Sequence, residues 1–443
     1  MKKVLIITYY WPPSGGSGVQ RWLKFVKYLP EFGWDPHVFT PENPTFPVMD
    51  RSLEADIPPE AEVIRFPIWE PYQLFFRISR LFGRKESAPP MVALVPSSKK
   101  TFFQRISTWM RGNLLVPDPR RFWVKPSVEY LADYVVRNDI TTVVTTGPPH
   151  SIHLIGLRLK RKFPGLRWLA DFRDPWSEWG MWDSLMVSRP VRRVHRRMEA
   201  RVLKNADDIL TITPFYVRQF ERLSGRKVHL LTNGFDEADF TDVRITRADK
   251  FIIRHVGIVN EKCNPRPFMA ALENTMKADP HFARDVAVEF VGEVHPDFRS
   301  FVQAQKTLAP VTTFMGNIPH SELLKRYGSS ALLLLVLTGY KDAEGFLPGK
   351  LFEYLATGLP VLGVGPVDGD AAAVLREANA GVMCADEDVT GIQAALISRY
   401  RAWKEGSQTA VAGAALNKFS RRELTGRLAA LLDTQQSDGG SGA

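Results

Sequence analysis

Sulfur chemistry has little to work with in this chain. Of 443 residues only two are cysteine, Cys263 and Cys384. They stand too far apart in sequence to form a metal motif, and they give no disulfide framework, which fits a reducing compartment. Long apolar runs are also missing. The longest, Ala331–Leu337, falls far below the ~20 residues that a membrane-spanning helix needs. The apolar start, Val4–Tyr10, is short and runs into Trp-Pro-Pro, so it reads as a first strand and not as a signal peptide. No short-period repeat occurs, and the 31 Gly and 32 Pro are scattered among periodic segments. Helix-turn-helix, zinc and RNA-binding signatures are absent, so the net charge of +10 does not point to nucleic acid. These absences leave a soluble cytoplasmic protein as the expectation.

What is present is ordinary in amount: 44% hydrophobic and 24% charged residues, enough for a sizeable core in a chain too long for one domain. The basic excess is uneven. From Phe76 to Lys125 there are eleven Lys and Arg against two acids, interleaved with Phe, Trp, Leu and Ile. That mixture suits an anionic membrane surface.

Short apolar strands alternate with helical stretches twice over. In the first half the strands are expected at Lys3–Thr8, His37–Thr40, Val63–Phe66, Thr142–Thr146, Arg167–Asp171, Asp208–Ile212 and Val228–Leu231. A first helix carries Val19, Trp22, Leu23, Val26 and Leu29 at helical spacing. After the polar stretch Asp242–Lys250 the pattern restarts, with strands at Phe251–Val256, Ala287–Val291, Val311–Phe314, Leu332–Leu337, Pro360–Val364 and Gly381–Cys384. Alternation of this kind predicts α/β units with parallel sheets. The expected domains are 1–242, with a basic aromatic insertion near 70–125, and 250–415. A helix at 416–434 could return to the first domain. Within the insertion, Gln73–Phe82 and Phe102–Met110 are basic amphipathic stretches. Leu74, Phe75, Ile78, Leu81 and Phe82 form one apolar stripe ringed by Arg77, Arg80, Arg84 and Lys85, facing either a membrane or the protein's own core.

Four constellations could carry chemistry. Gly15 and Gly16 lie in a Pro/Gly/Ser loop between the first strand and the first helix, where backbone N–H groups can approach an anion; a tight strand–helix turn uses the same residues. The second constellation, Gly147-Pro-Pro-His-Ser151, follows a strand, and His150 there can bond a sugar hydroxyl or move a proton. Ser151 as a helix cap beside a structural His is the alternative. In the third, Asp171, Arg173 and Asp174 at another strand end are candidate sugar or acceptor contacts, or an internal ion-pair network. The fourth is Glu344 through Tyr354. Pro348 and Gly349 open a helix, Lys350 sits in its first turn within reach of a diphosphate, and Glu353 lies one turn deeper on the same face, placed for a ribose. A capped surface helix with an i,i+3 Lys/Glu pair reads the same. Two Asp-x-Asp triplets, Asp368–Asp370 and Asp386–Asp388, read as a helix N-cap at Asp370 and an acidic turn, so no metal is expected.

Together these motifs resemble the retaining glycosyltransferases of family 4, whose GT-B architecture sets two Rossmann-like doubly wound domains facing across a cleft. The resemblance runs through the Gly-Gly loop, Gly147–Ser151, Ala170–Trp176, Thr232-Asn-Gly-Phe-Asp236, His255-Val-Gly257, Lys350–Ala356 and Gly358-Leu-Pro-Val361. It looks like the branch found in bacterial surface-polysaccharide gene clusters. It implies a nucleoside-diphosphate sugar as donor, a glycan or lipid-linked hydroxyl as acceptor, transfer without metal or other cofactor, and retention of anomeric configuration. Carried over by position, Gly15 and Gly16 meet the donor's sugar and diphosphate, as does His150 its sugar. Lys350 neutralises the diphosphate, Gly349 offers backbone donors and Glu353 holds the ribose. Glu344 matches the first acid of the family's two-glutamate signature with one residue too many between the acids. Where the family has Arg and Lys after Gly257, this chain has Ile258; the available cations are Lys262 and Arg266, of which Lys262 is the favoured substitute. A sugar-nucleotide 2-epimerase and a non-catalytic membrane-associated assembly factor share the expected fold. Peripheral attachment to the inner face of the cell membrane is expected; oligomeric state is not legible.

Overall fold

Val4, Leu5, Ile6 and Ile7 make an unbroken apolar run, and all four are fully buried in β1 (Lys2–Ile7). Side chains alternate between the two faces of a strand, so such a run requires cover on both faces, as in a parallel sheet between layers of helix. A computed structural model describes residues 1–46, 49–71, 102–178, 182, 185–241, 243–339, 342–407 and 416–434. Two units result: Met1–Thr232 with the segment from Leu424 onward, and Asn233–Glu423.

The first unit holds β1, β2 (Trp34–Pro41), β3 (Glu62–Phe66), β4 (Thr142–Gly147), β5 (Arg167–Phe172), β6 (Asp208–Thr211) and β7 (His229–Leu230). They form one parallel sheet in the order β3-β2-β1-β4-β5-β6-β7. Its described helices are α1 (Ser17–Tyr28), α2 (Phe102–Leu114), α3 (Arg121–Arg137), α4 (Ser151–Lys162), α5 (Arg189–Asn205) and α6 (Pro214–Ser224). Leu5, Ile7, Val143 and Trp168 face one layer with Trp123 and Leu131 of α3 and Ile152 and Ile155 of α4. Val4, Ile6, Val144 and Leu169 face the other with Trp22, Leu23 and Val26 of α1.

The second unit repeats the scheme with β8 (Phe251–Val256), β9 (Val286–Val291), β10 (Thr312–Gly316), β11 (Leu332–Val336), β12 (Val361–Val364) and β13 (Gly381–Cys384), parallel in the order β10-β9-β8-β11-β12-β13. Its described helices are α7 (Glu237–Phe240), α8 (Arg266–Ala278), α9 (Pro280–Asp285), α10 (Pro296–Ala304), α11 (His320–Tyr327), α12 (Gly349–Thr357), α13 (Asp370–Glu377) and α14 (Val389–Glu405). The last helix, α15 (Arg421–Asp433), contributes Leu424, Leu428 and Leu432 to the first unit's core, on the α1 side of that sheet.

Some expected boundaries move. Arg121–Lys125 belongs to α3, whose Trp123 and Val124 are core residues, so the irregular insertion ends earlier than 125. Glu70, expected at the insertion's edge, is fully buried and pairs with Arg120 at 2.9 Å. The stripe from Leu74 to Phe82 lies outside the described residues, as do Arg77, Arg80, Arg84, Lys85 and the tail from Gln435. Asp370 is the first residue of α13, not its cap, which is Gly369. Asp388, by contrast, caps α14 by accepting from the Gly391 N–H at 2.8 Å.

Sheet order locates the functional ends. Chain order reverses between β1 and β4 and again between β8 and β11. Helices leave such switch points in opposite directions and open a crevice beyond the strands' carboxyl ends, where doubly wound folds take ligands. The loops after β1, β4, β8 and β11 are the candidate ground.

Candidate functional site

At the first switch point, Gly16 is exposed at the start of α1 with φ +90°, a conformation that a side chain disfavours. Gly15 precedes it, half-buried. The neighbouring loop after β4 is tied to this one by Arg173. Its guanidinium donates to the Gly18 carbonyl at 2.7 Å, to Pro148 at 2.8 Å and to Gly147 at 3.2 Å. Arg173 is buried, and a Cβ on Gly18 would come within 2.9 Å of it. This side chain therefore clamps two loops together, the internal-network role weighed for it beside a sugar contact.

Asp171 is likewise engaged within the fold. Both its carboxylate and Arg21 of α1 are wholly buried. Arg21 donates to it twice, at 3.0 and 3.1 Å, Trp22 Nε1 at 2.7 Å and Thr146 Oγ1 at 3.0 Å. Burial pushes this carboxyl up, but the Arg21 guanidinium and the Arg21 and Trp22 hydrogen bonds outweigh it and hold it below the usual range. Asp171 thus fastens α1 to the sheet. Asp174 differs: half-buried, it makes no hydrogen bond among the described residues, and burial raises its carboxyl against the pull of Arg173. Of the three it is the one whose side chain has no described hydrogen bond.

His150 ends the β4 loop, just before α4. Burial holds its pKa well below normal, helped by His153, His195 and Arg173, so the ring is neutral. Its Nδ1 is buried without a partner, leaving Nε2 as the nitrogen able to meet a ligand. Ser151 does not cap α4 with its own hydroxyl; Asp118 accepts both the Ser151 N–H and its Oγ–H, each at 2.8 Å. His153 faces inward against Thr145 at 2.9 Å.

At the second switch point, α12 begins at Gly349 with Lys350 as its second residue. The chain needs glycine at 257, where φ is +116° and a Cβ would lie 3.1 Å from Lys350 Nζ. Lys350 therefore reaches across the end of β8. Among the described residues its ammonium has no hydrogen bond and no ion pair. Burial lowers its pKa, while Cys263 and Glu353 pull it upward. A half-buried cation at a helix N-terminus, with free N–H groups and a favourable dipole around it, suits a phosphate-bearing leaving group.

Tyr354, one turn after Lys350, fixes this helix. Its hydroxyl accepts from the Val256 N–H at 2.9 Å and donates to the Leu334 carbonyl at 3.3 Å, bridging β8 and β11. Glu353 is oriented from α11: Tyr327 donates to it at 3.0 Å, and His320 lies 3.3 Å away. His320 and Tyr327 carried no local signal, because each acts through a partner distant in sequence; Tyr354 lies within the Lys350–Ala356 motif, but its bridging partners, Val256 and Leu334, are not local to it. His255 is fully buried, its Nδ1–H donating to the Leu334 carbonyl at 3.0 Å.

Lys262 and Glu344 are not drawn into this group by any described contact of their side chains with Lys350 or Glu353. Lys262 is exposed, its backbone pinned by Asn260 and Thr338. Glu344 is exposed in the short turn Ala343–Gly345. Neither Asp-x-Asp triplet joins a cluster of three metal-ligating side chains among the described residues.

Two family models match the chain. The Glycosyl transferase 4-like domain covers residues 15–234, and the Glycosyl transferases group 1 model covers 250–401. No curated protein matches in sequence at a significant level. Solved structures align over nearly the full length. Sucrose-phosphate synthase from Thermosynechococcus elongatus aligns with TM-score 0.62 and 15% identity, over 99% of this chain and 100% of that one. A putative UDP-N-acetylglucosamine 2-epimerase from Listeria monocytogenes gives 0.56 and 11%, over 99% and 98%. WaaG, a glycosyltransferase involved in lipopolysaccharide biosynthesis, gives 0.55 and 15%, over 97% and 99%. At these identities the likeness is one of fold.

Proposed function

The chain belongs to the family 4 glycosyltransferases of GT-B architecture, and we propose that it moves a sugar from a nucleoside-diphosphate sugar to a hydroxyl of a glycan or lipid-linked acceptor. The observation that carries this reading is Lys350: a half-buried cation without a described partner, held over Gly257 at the start of α12. When the sugar–phosphate bond breaks, negative charge grows on the departing diphosphate. Lys350 and the N–H groups at Gly349 stabilise that charge, with no metal required. Glu353, held by Tyr327, accepts the ribose hydroxyls. In the first unit, Gly15 and Gly16 bring backbone close to the donor, His150 Nε2 meets its sugar, and Asp174 orients a hydroxyl. The acceptor oxygen attacks the oxocarbenium-like carbon on the face the diphosphate leaves, its proton passing to that diphosphate, so configuration is retained.

The acceptor reading, a lipid-linked intermediate of bacterial surface polysaccharide, draws support from one face of the first unit. Trp109 and Leu114 of α2 are 44% and 54% exposed. Asn113 of the same helix binds the Met186 carbonyl and the Ser188 N–H, which sets α2 beside the start of α5 with its exposed Arg193, Arg196 and Arg197. No described helix is long and apolar enough to cross a membrane; this face would sit on an anionic one.

A thermal-shift panel of UDP- and GDP-linked hexoses tests the donor assignment. A stabilising donor should release nucleoside diphosphate faster when an acceptor is supplied. No shift with any nucleoside diphosphate would leave a non-catalytic assembly factor, and conversion of donor alone into a rearranged nucleotide sugar would make the chain an epimerase.

A further inference from the structure

His150 lacks what usually orients a working imidazole. One ring nitrogen ordinarily bonds a carboxylate or carbonyl, which fixes the ring and its tautomer; here Nδ1 is buried with no partner. Stacking takes over. The ring lies parallel to Trp176, with centroids 5.1 Å apart and 1° between planes; Phe172 and His153 are farther, at 6.3 and 6.1 Å.

Trp176 is itself tethered at both ends. Its Nε1–H donates to His195 Nδ1 at 3.0 Å, and its backbone N–H to Glu199 Oε1 at 3.2 Å. Ser177 adds its N–H, at 3.3 Å, and its Oγ–H to Glu199 Oε2. His195 and Glu199 stand one turn apart on α5 and are 1% and 2% exposed. Burial keeps His195 neutral, lowering it to about 4, so Nδ1 can accept. Burial also raises Glu199 to about 7, although the Ser177 and Trp176 hydrogen bonds pull the other way. No cation pairs with Glu199 among the described residues. A buried carboxylate without a cation is a poor stabiliser, yet three donors converge on it, all from Trp176 and Ser177.

We propose that Glu199 and His195 hold Trp176 as a platform that sets the plane of the His150 imidazole, making all three positioning residues for its ligand-facing nitrogen. The proposal rests on the role given to His150 above. It explains why an Asp-Pro-Trp sequence follows Arg173. The arginine clamps the loop that bears His150, and the tryptophan fixes the ring that the loop presents.

A double-substitution cycle on the full chain tests it, read as nucleoside diphosphate release from the UDP- or GDP-hexose giving the largest thermal shift. Trp176→Leu should lower kcat roughly 10- to 100-fold with little change in KM, the scale of a misplaced group. In a His150→Ala background the same change should lower kcat less than about twofold, since coupled residues are not additive. Glu199→Gln keeps the volume and should show the same coupling on a smaller loss; it decides the matter if Trp176→Leu does not fold. Equal losses in both backgrounds would make the cluster merely structural and overturn the proposal. If His150→Ala alone leaves kcat unchanged, the role of His150 fails and the platform falls with it.

Discussion

Replacing Lys350 by alanine separates catalysis from folding. Its ammonium has no described hydrogen bond or ion pair, and burial lowers its pKa. In the free protein the charge is therefore a net burden, and removing it should leave stability unchanged or raise it by up to ~1 kcal/mol, within the range of neutral substitutions. In the transition state the same charge faces a departing diphosphate. Loss of one such preorganised donor typically lowers kcat about 10²- to 10³-fold, roughly 3–4 kcal/mol. The assay pairs nucleoside diphosphate release with thermal denaturation, with and without the diphosphate. A ligand at a hundredfold excess over its Kd stabilises by about 2.7 kcal/mol, and Lys350→Ala should lose most of that shift. Gly257→Ala is the internal control. Its Cβ would come 3.1 Å from Nζ, at a φ of +116°. It should lower turnover more in the parent chain than in the Lys350→Ala chain, where the clash with Nζ is gone and only the backbone strain remains. Unchanged turnover in Lys350→Ala, or a loss fully explained by a lower Tm, would refute the reasoning.

Two other expectations are independent of that site. Asp171→Ala leaves Arg21 buried and unpaired, and should destabilise the first unit by about 3–5 kcal/mol in urea denaturation; a change below about 1 kcal/mol would contradict the network. Because the folded carboxyl of Asp171 is held below its unfolded value near ~3.9, the parent's pairing is present above that pH and is lost as pH falls toward the folded value. The variant's stability should accordingly fall less steeply below about pH 4. The basic aromatic face should sediment the full chain with anionic vesicles at low salt, less so at high salt and less so for Trp109→Ala; no binding at low salt removes the membrane claim.

The resemblance of motifs was legible because each motif is local. Lys350 and Glu353 share one helix face by three-residue spacing alone, and β8 and β13 have the ends expected of them, since an apolar run between polar punctuation defines a strand without reference to the rest. Where a boundary moved, a long-range contact moved it. Arg121–Lys125 looked irregular until Trp123 met the sheet. Phe235, expected in the first domain, hydrogen-bonds both Phe419 and Arg421 of the second unit.

Strand and helix periodicity, the glycine-bearing loops and the lysine–glutamate pair thus followed from the amino-acid order, because side-chain direction along a helix or strand is set within a turn or two of backbone. The partners were decided elsewhere. Asp171 and Arg173, locally legible either as sugar contacts or as an internal network, are engaged by Arg21 and by the Gly18 carbonyl, about 150 residues earlier in the chain. Only the parallel crossing of β1, β4 and β5 brings those groups within 3 Å or so of each other. Glu353 likewise acquires its orientation from Tyr327 and His320 on another helix. Short-range covalent geometry writes the elements, whereas hydrogen-bond partners depend on which strands become neighbours, and that is fixed only when each sheet assembles.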